Sequence, residues 1–178
     1  IDRYADLAVI RLYSKAWEVQ LDTLVQAIVK LPWVETLFRK FGVQRVDGRS
    51  GGETLSGPEA PHKIIIEEYG MKQLVRPWEG QKTGLFLDQR EHRALVGRWA
   101  PGRCVGNLFG YNGGFSIAAA LGGAAMTVTV DIAAQALEDA KENFRINGLN
   151  PDHHVFICAD VFEWTPDVTL DFIVVDPP

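Results

Sequence analysis

Three aspartates, Asp131, Asp160 and Asp176, each follow a short apolar run, and Asn107 lies near the end of an earlier one. A carboxylate at Asp131, 24 residues after Asn107, is placed to accept from both hydroxyls of a ribose. Asp160 can accept from an adenine amino group. Asp176 precedes Pro177-Pro178, whose fixed φ presents the carboxylate and the neighbouring carbonyls toward a cleft. There it would take a hydrogen bond from an exocyclic N–H₂ of a planar base, or pair with a protonated ring nitrogen. Singly, Asp131 and Asp160 also suit the capping of a following helix, and Asp176 a plain turn. The ordered set Asn107, Asp131, Asp160, Asp176 points instead to a nucleoside-type site.

The turn Asn107-Leu108-Phe109-Gly110-Tyr111-Asn112-Gly113-Gly114-Phe115-Ser116 narrows the ligand. Gly113 and Gly114 sit where the backbone must approach a ligand and open a helix. Asn107 and Tyr111 stand where G-x-G-x-x-G would require glycine, and Tyr111 and Asn112 would crowd a pyrophosphate. A ligand without phosphates suits this turn. S-adenosylmethionine (SAM), with its amino-acid tail, sulfonium and adenosine, is one.

Such residues need strands to deliver them. Cys104–Phe109, Met126–Val130, His154–Cys158 and Phe172–Val175 read as four strands, with a helix over Ile132–Asn147 closed by Asn147-Gly148. Crossovers of this length favour a parallel sheet with its ligands at the carboxyl edge. The expected fold is therefore α/β: residues 96–178 form the first half of a Rossmann-like SAM-binding domain, and residues 1–95 a small preceding α+β domain. In that first part, Leu7–Tyr13 reads as a strand. Ala16–Lys30 reads as a helix on the spacing of Trp17, Leu21, Leu24, Val25 and Ile28. Trp33–Phe41 reads as a second helix, from Val34, Leu37, Phe38 and Phe41. Ser50–Gly52 and Ser56–Pro58 mark loops, Lys63–Arg76 two strands turning at Gly70, and Asp88–Trp99 a helix.

Composition is that of an ordinary globular protein, 47% hydrophobic and 23% charged over 178 residues. With no membrane-length apolar run and no leader pattern, it reads as cytoplasmic. The net charge of −5 is uneven. Residues 1–100 carry 15 basic and 13 acidic side chains, residues 101–178 carry 3 and 10, so a polyanion would approach the first part. Cys104 and Cys158 read as buried structural thiols. His153-His154 reads as a solvated loop rather than a metal pair, and no metal is expected. His92 and Arg93 suit either RNA phosphate or surface solvation. The five tryptophans read mostly as core or domain-interface residues. The abrupt ends, at Ile1 and at Pro178, suggest a piece of a longer protein.

Asn107–Ser116, the Asp131 strand and Asp176-Pro177-Pro178 resemble motifs I, II and IV of class I SAM-dependent methyltransferases. Gly80-Gln81-Lys82-Thr83-Gly84-Leu85-Phe86-Leu87-Asp88-Gln89-Arg90 resembles the signature of ribosomal-RNA large-subunit methyltransferases of the 5-methylcytosine type. Those enzymes carry an N-terminal PUA domain, a central α+β domain, whose start Ile1–Asp6 also resembles, and a C-terminal catalytic domain. The resemblance covers essentially the whole chain. It implies that Asn107, Phe109, Tyr111, Asn112 and Gly113 wrap the methionine part of SAM, that Asp131 holds the ribose and that Asp160 holds the adenine. It further implies that Phe86 and Asp88 line the same cleft, with Lys82, Thr83 and Arg90 nearby, and that Asp176 faces the target base as the catalytic carboxylate.

One departure stands out. Cytosine C5 accepts a methyl only after a thiolate adds to C6, and the family carries that cysteine beyond the position of Pro178. Residues 1–178 alone are thus expected to hold SAM poorly and not to turn over. The expected function is methyl transfer from SAM to cytosine C5 of large-subunit ribosomal RNA, with RNA as partner, no membrane, and room for a homodimer. The rivals are an N-methyltransferase using Asp-Pro-Pro, an NAD-dependent oxidoreductase, and a non-catalytic RNA-binding or assembly module.

Overall fold

The computed structural model describes residues 1–42 and 48–177, so Pro178 of the Asp-Pro-Pro string lies outside the described residues. The chain divides into two compact units: residues 1–66 with 75–87, and residues 67–74 with 88–178. One short stretch, residues 67–74, thus groups with the second unit.

The first unit is a four-stranded sheet of β1 (Asp2–Tyr4), β2 (Leu7–Ile10), β3 (Thr36–Lys40) and β4 (Gly52–Ser56), in that spatial order. β1 and β4 run antiparallel to their neighbours, while β2 and β3 are parallel. A parallel pair requires a crossover, supplied here by a 3₁₀ turn (Lys15–Gln20) and α1 (Leu21–Ile28). The helix predicted over Ala16–Lys30 is thus broken in two, its first turn capped by Ser14 Oγ on the Ala16 amide.

Alternation along β2 and β3 sends side chains to two cores. Leu7, Val9 and Phe38 join Tyr4, Val75 and Leu85, whereas Ala8, Ile10 and Leu37 join Ile28 and the inner face of α1. This corrects the helix expected at Trp33–Phe41. With both faces of β3 covered, the strand loses its in–out alternation, and Leu37, Phe38 and Phe41 mimic a helical stripe. Even Thr36, Arg39 and Lys40 are buried on it. Arg39 is compensated by an ion pair with Glu18. β4, absent from the sequence reading, is a half-buried strand among glycine-rich turns.

β5 (Ile64–Glu68) and β6 (Met71–Val75) form the expected hairpin. Its turn places Tyr69 at φ 51° and Gly70 at φ 81°, the pair of positive angles a type I′ turn requires.

The second unit is the expected parallel sheet, ordered β10 (Phe172–Val175), β7 (Cys104–Leu108), β8 (Met126–Asp131), β9 (Val155–Cys158). It carries α2 (Arg90–Trp99), α3 (Gly114–Leu121) and α4 (Ala134–Ile146). Val105, Phe172 and Val174 pack with Val96 of α2 and Ala119 of α3, and Phe156 packs with Phe144 of α4. On the other face of β10, Ile173 and Val175 are exposed. No helix among the described residues is long and apolar enough to cross a membrane. Of the five tryptophans, Trp17 and Trp99 are more than half exposed.

Candidate nucleoside site at the sheet edge

β7 ends at Leu108, and the next five residues bend sharply. Phe109 (φ 59°), Tyr111 (φ 46°) and Gly113 (φ 79°) all lie in the left-handed region. For Phe and Tyr this costs on the order of 1–2 kcal/mol each, so surrounding bonds must hold the turn. Gly110 N–H donates to Val130 O (2.9 Å) and Gly113 N–H to Gly110 O (2.8 Å). The Tyr111 N–H donates to Asp131 Oδ2 at 2.8 Å. A Cβ on Gly110 would lie 2.5 Å from Thr129 Cγ2, so the turn sits directly on β8.

Of the residues expected around the methionine moiety, the structure turns two inward. Asn107 is buried; its Nδ2 donates to Ser116 Oγ (2.9 Å), which contacts Thr129 Oγ1 at 2.6 Å. Asn107 Oδ1 is buried with no hydrogen-bond partner among the described residues. Asn112 is also buried, with Nδ2 3.4 Å from Leu74 O and its own carbonyl accepting from Asn143 Nδ2. Phe109 and Tyr111 stay half-buried at the surface of the turn.

Asp131 is the hub of the edge. Oδ2 takes the Tyr111 N–H and Oδ1 the Ala133 N–H, each at 2.8 Å. A carboxylate offers about four lone-pair sites, so acceptor capacity for two hydroxyls is left. The Asp131 carbonyl also receives Ala159 N–H (3.1 Å), tying the end of β8 to that of β9. Asp160 follows and is exposed, its Oδ1 accepting from Phe162 N–H (2.9 Å) in an Asx turn. That turn projects Phe162, 86% exposed, against Phe109 with ring centroids 5.7 Å apart. Phe162 escaped the sequence reading; an aromatic two residues after a strand-end aspartate was its signal.

Asp176, half-buried after β10, has Gln89 Nε2 at 3.4 Å from Oδ1, so Gln89, not singled out in the sequence, stands beside it. Asp88 is the exposed residue before it, on the 3₁₀ turn Leu87–Gln89. Phe86 lies in the first unit, half-buried, with Lys82 Nζ 4.3 Å from its ring centroid. In that unit Thr83 is buried and contacts the Tyr4 hydroxyl at 2.8 Å.

Other expectations are corrected. Arg93 is no surface or phosphate residue. It is 4% exposed and forms a bidentate pair with buried Glu68, which also accepts from Gln73 Nε2. Cys158 is exposed rather than buried, because β9 pairs on one side only, and its thiol donates to Ile132 O (3.5 Å). Cys104 opens β7, at the end of the sheet away from the aspartates. Burial, reinforced by Asp171, holds its thiol above the usual range. His154 is not solvated: Nδ1 meets Thr127 Oγ1 (3.0 Å), the ring packs on Phe144, and burial lowers its pKa.

The donor set fits SAM. A carboxylate with spare acceptor capacity stands at the end of β8, two aromatic rings meet beside Asp160, and the turn supplies no phosphate-type glycine cradle. The described residues also contain no group of three His, Cys, Asp or Glu placed to hold a metal ion.

A family model described as S-adenosylmethionine-dependent methyltransferase matches residues 12–178. The chain is 40% identical to the ribosomal RNA large subunit methyltransferase I of Shewanella amazonensis, covering 100% of this chain and 47% of that protein. It is 36% identical to the ribosomal RNA large subunit methyltransferase of Deinococcus radiodurans, covering 100% and 46%. A solved methyltransferase structure complexed with S-adenosylhomocysteine (SAH) superimposes with a TM-score of 0.86 at 32% identity, over 98% of this chain and 46% of the other. The chain thus spans about half the length of the curated relatives it matches.

Proposed function

The chain belongs to the S-adenosylmethionine-dependent methyltransferases, and from that premise we propose that it forms the SAM-holding part of an enzyme that methylates large-subunit ribosomal RNA. The observation that carries this reading is the Asp131 carboxylate, which clamps the Tyr111 amide while keeping acceptor capacity for two ribose hydroxyls. SAM contributes a methyl group on a positively charged sulfonium. Around it, Phe109, Phe162 and Asp160 take the adenine, Tyr111 and Gly113 border the methionine, and Asn107 and Asn112 hold the turn from beneath. Asp88 is assigned to the same cofactor's surroundings, and Asp176 with Gln89 to the acceptor base.

The RNA assignment draws on the relatives' names and on the charge distribution. Within the first unit, Arg11, Lys40 and Lys82 line a cavity of about 710 Å³ beside Trp78 and His62, whose rings stack at 5.4 Å. We assign this surface to the RNA backbone and an unstacked base.

For the methylated atom, cytosine C5 is the proposal. It requires a thiolate to add at C6. Cys104 is unsuited, at the far end of the sheet with a raised pKa. The family resemblance puts the nucleophile in sequence following Asp176-Pro177-Pro178, and we assign it there. The rival, an exocyclic amino group, is favoured by Asp176 lying beside an amide donor already.

Incubating the full-length protein with methyl-labelled SAM and large-subunit ribosomal RNA, then digesting to nucleosides for mass spectrometry, decides between them. 5-Methylcytidine is expected. An N-methylated base overturns the C5 assignment, and absence of both SAH binding and RNA labelling overturns the whole reading.

A further inference from the structure

Asn143 is fully buried in α4 between Ala140 and Phe144, a costly place for an amide unless its atoms are used. Its Oδ1 accepts from the Leu74 N–H of β6 at 2.6 Å, and its Nδ2 donates to the Asn112 carbonyl at 2.9 Å. One helical turn later, Asn147 grips the same strand: Oδ1 takes the Lys72 N–H (2.8 Å) and Nδ2 donates to Lys72 O (2.7 Å). The spacing matches. Four helical residues advance about 6 Å and two strand residues about 6.6 Å, so asparagines at i and i+4 meet strand residues at j and j−2. The two amides thus read the backbone of β6, but only Asn143 also reaches the turn that carries Tyr111 and Gly113.

Asn112 closes the triangle, its Nδ2 lying 3.4 Å from Leu74 O. The next residue, Gly113, must hold φ 79°, and a Cβ there would lie 2.9 Å from Ala140 Cβ, so the turn has little room to settle elsewhere. Orientation of the Asn112 carbonyl therefore decides whether α3 starts where it does.

We infer that Asn143 is a positioning residue for cofactor binding, latching the Phe109–Gly113 turn to the β5–β6 hairpin, while Asn147 secures the hairpin alone. This rests on the SAM reading of the turn. The latch makes hairpin and cofactor turn one cooperative element, so ordering the turn orders Leu74.

The test uses the full-length protein and SAH calorimetry, with thermal melts run in parallel. Asn143→Ala is expected to weaken SAH about tenfold or more, through one lost hydrogen bond and an unmade buried carbonyl. Asn147→Ala, which loses two bonds to β6 where Asn143→Ala loses one, should still stay within about twofold of wild type. Equal losses in the two variants, or an Asn143→Ala affinity within about twofold of wild type, overturn the latch. If Asn143→Ala does not fold, amide exchange in the wild type decides: SAH should slow exchange at Leu74 together with Asn112–Ser116. An unchanged Leu74 rate overturns the latch. Absence of SAH binding by the wild type overturns the cofactor reading and the latch together.

Discussion

Replacing Asp131 with alanine should weaken SAH binding by about two orders of magnitude. In the structure the carboxylate spends one lone pair per oxygen on Tyr111 N–H and Ala133 N–H, both at 2.8 Å. The remaining pairs are those proposed to receive two ribose hydroxyls. Hydrogen bonds to a charged acceptor contribute roughly 1.5–3 kcal/mol each, and a half-buried group belongs at the low end. Two such bonds come to about 3 kcal/mol, or about 10²-fold in Kd. Releasing the Tyr111 amide from its partner adds to this by loosening a turn that holds two non-glycine residues at positive φ. Asp131→Asn should lose less, about tenfold, since it keeps one acceptor oxygen but sets an N–H₂ against a backbone N–H. Calorimetry with SAH on the full-length protein reads both values, with a melting curve to separate binding from unfolding. An alanine variant within about threefold of wild type refutes the ribose assignment, as does an asparagine variant weaker than the alanine one.

Four further outcomes follow from the same geometry. Glu68→Ala leaves Arg93, 4% exposed, as an uncompensated buried charge and should cost about 3–5 kcal/mol in urea unfolding; adding Arg93→Met should recover part of it. Gly113→Ala forces an alanine to φ 79° with its Cβ 2.9 Å from Ala140, so it should lose about 1–2 kcal/mol or more of stability and weaken SAH; a neutral melt would refute this. Burial, with a lesser push from Arg11 and against the pull of Glu79, lowers Lys40 from 10.5 to about 8. The unfolded lysine keeps its proton up to 10.5, so between those values unfolding takes up protons and stability rises with pH; Lys40→Met should flatten that rise in denaturation series at pH 7.5 and 10. Lys82→Ala should weaken RNA binding and reduce its salt slope by about one ion; an unchanged slope would remove Lys82 from the RNA surface.

Much of the catalytic-type unit was legible along the chain. The strand ends at Asp131, Cys158 and Val175, the left-handed turn with its glycines, and the capped helix after Asp131 all follow from local periodicity and turn chemistry. Neighbours within a few residues decide such features, so sequence alone determined the succession of strands along the chain and which carboxylates stand at their carboxyl ends. What depends on partners far along the chain was not legible. Whether Trp33–Phe41 would be helix or strand turned on both faces of β3 being covered. Arg93 became a buried ion pair because Glu68 arrives from the hairpin 25 residues earlier. Asn112 looks like a ligand-binding residue by position, yet packing turns it toward Leu74 and Asn143, while Phe162 and Gln89 complete the edge from separate loops. Hydrogen-bond saturation and close packing settle these choices, and both are properties of the assembled core rather than of any one segment.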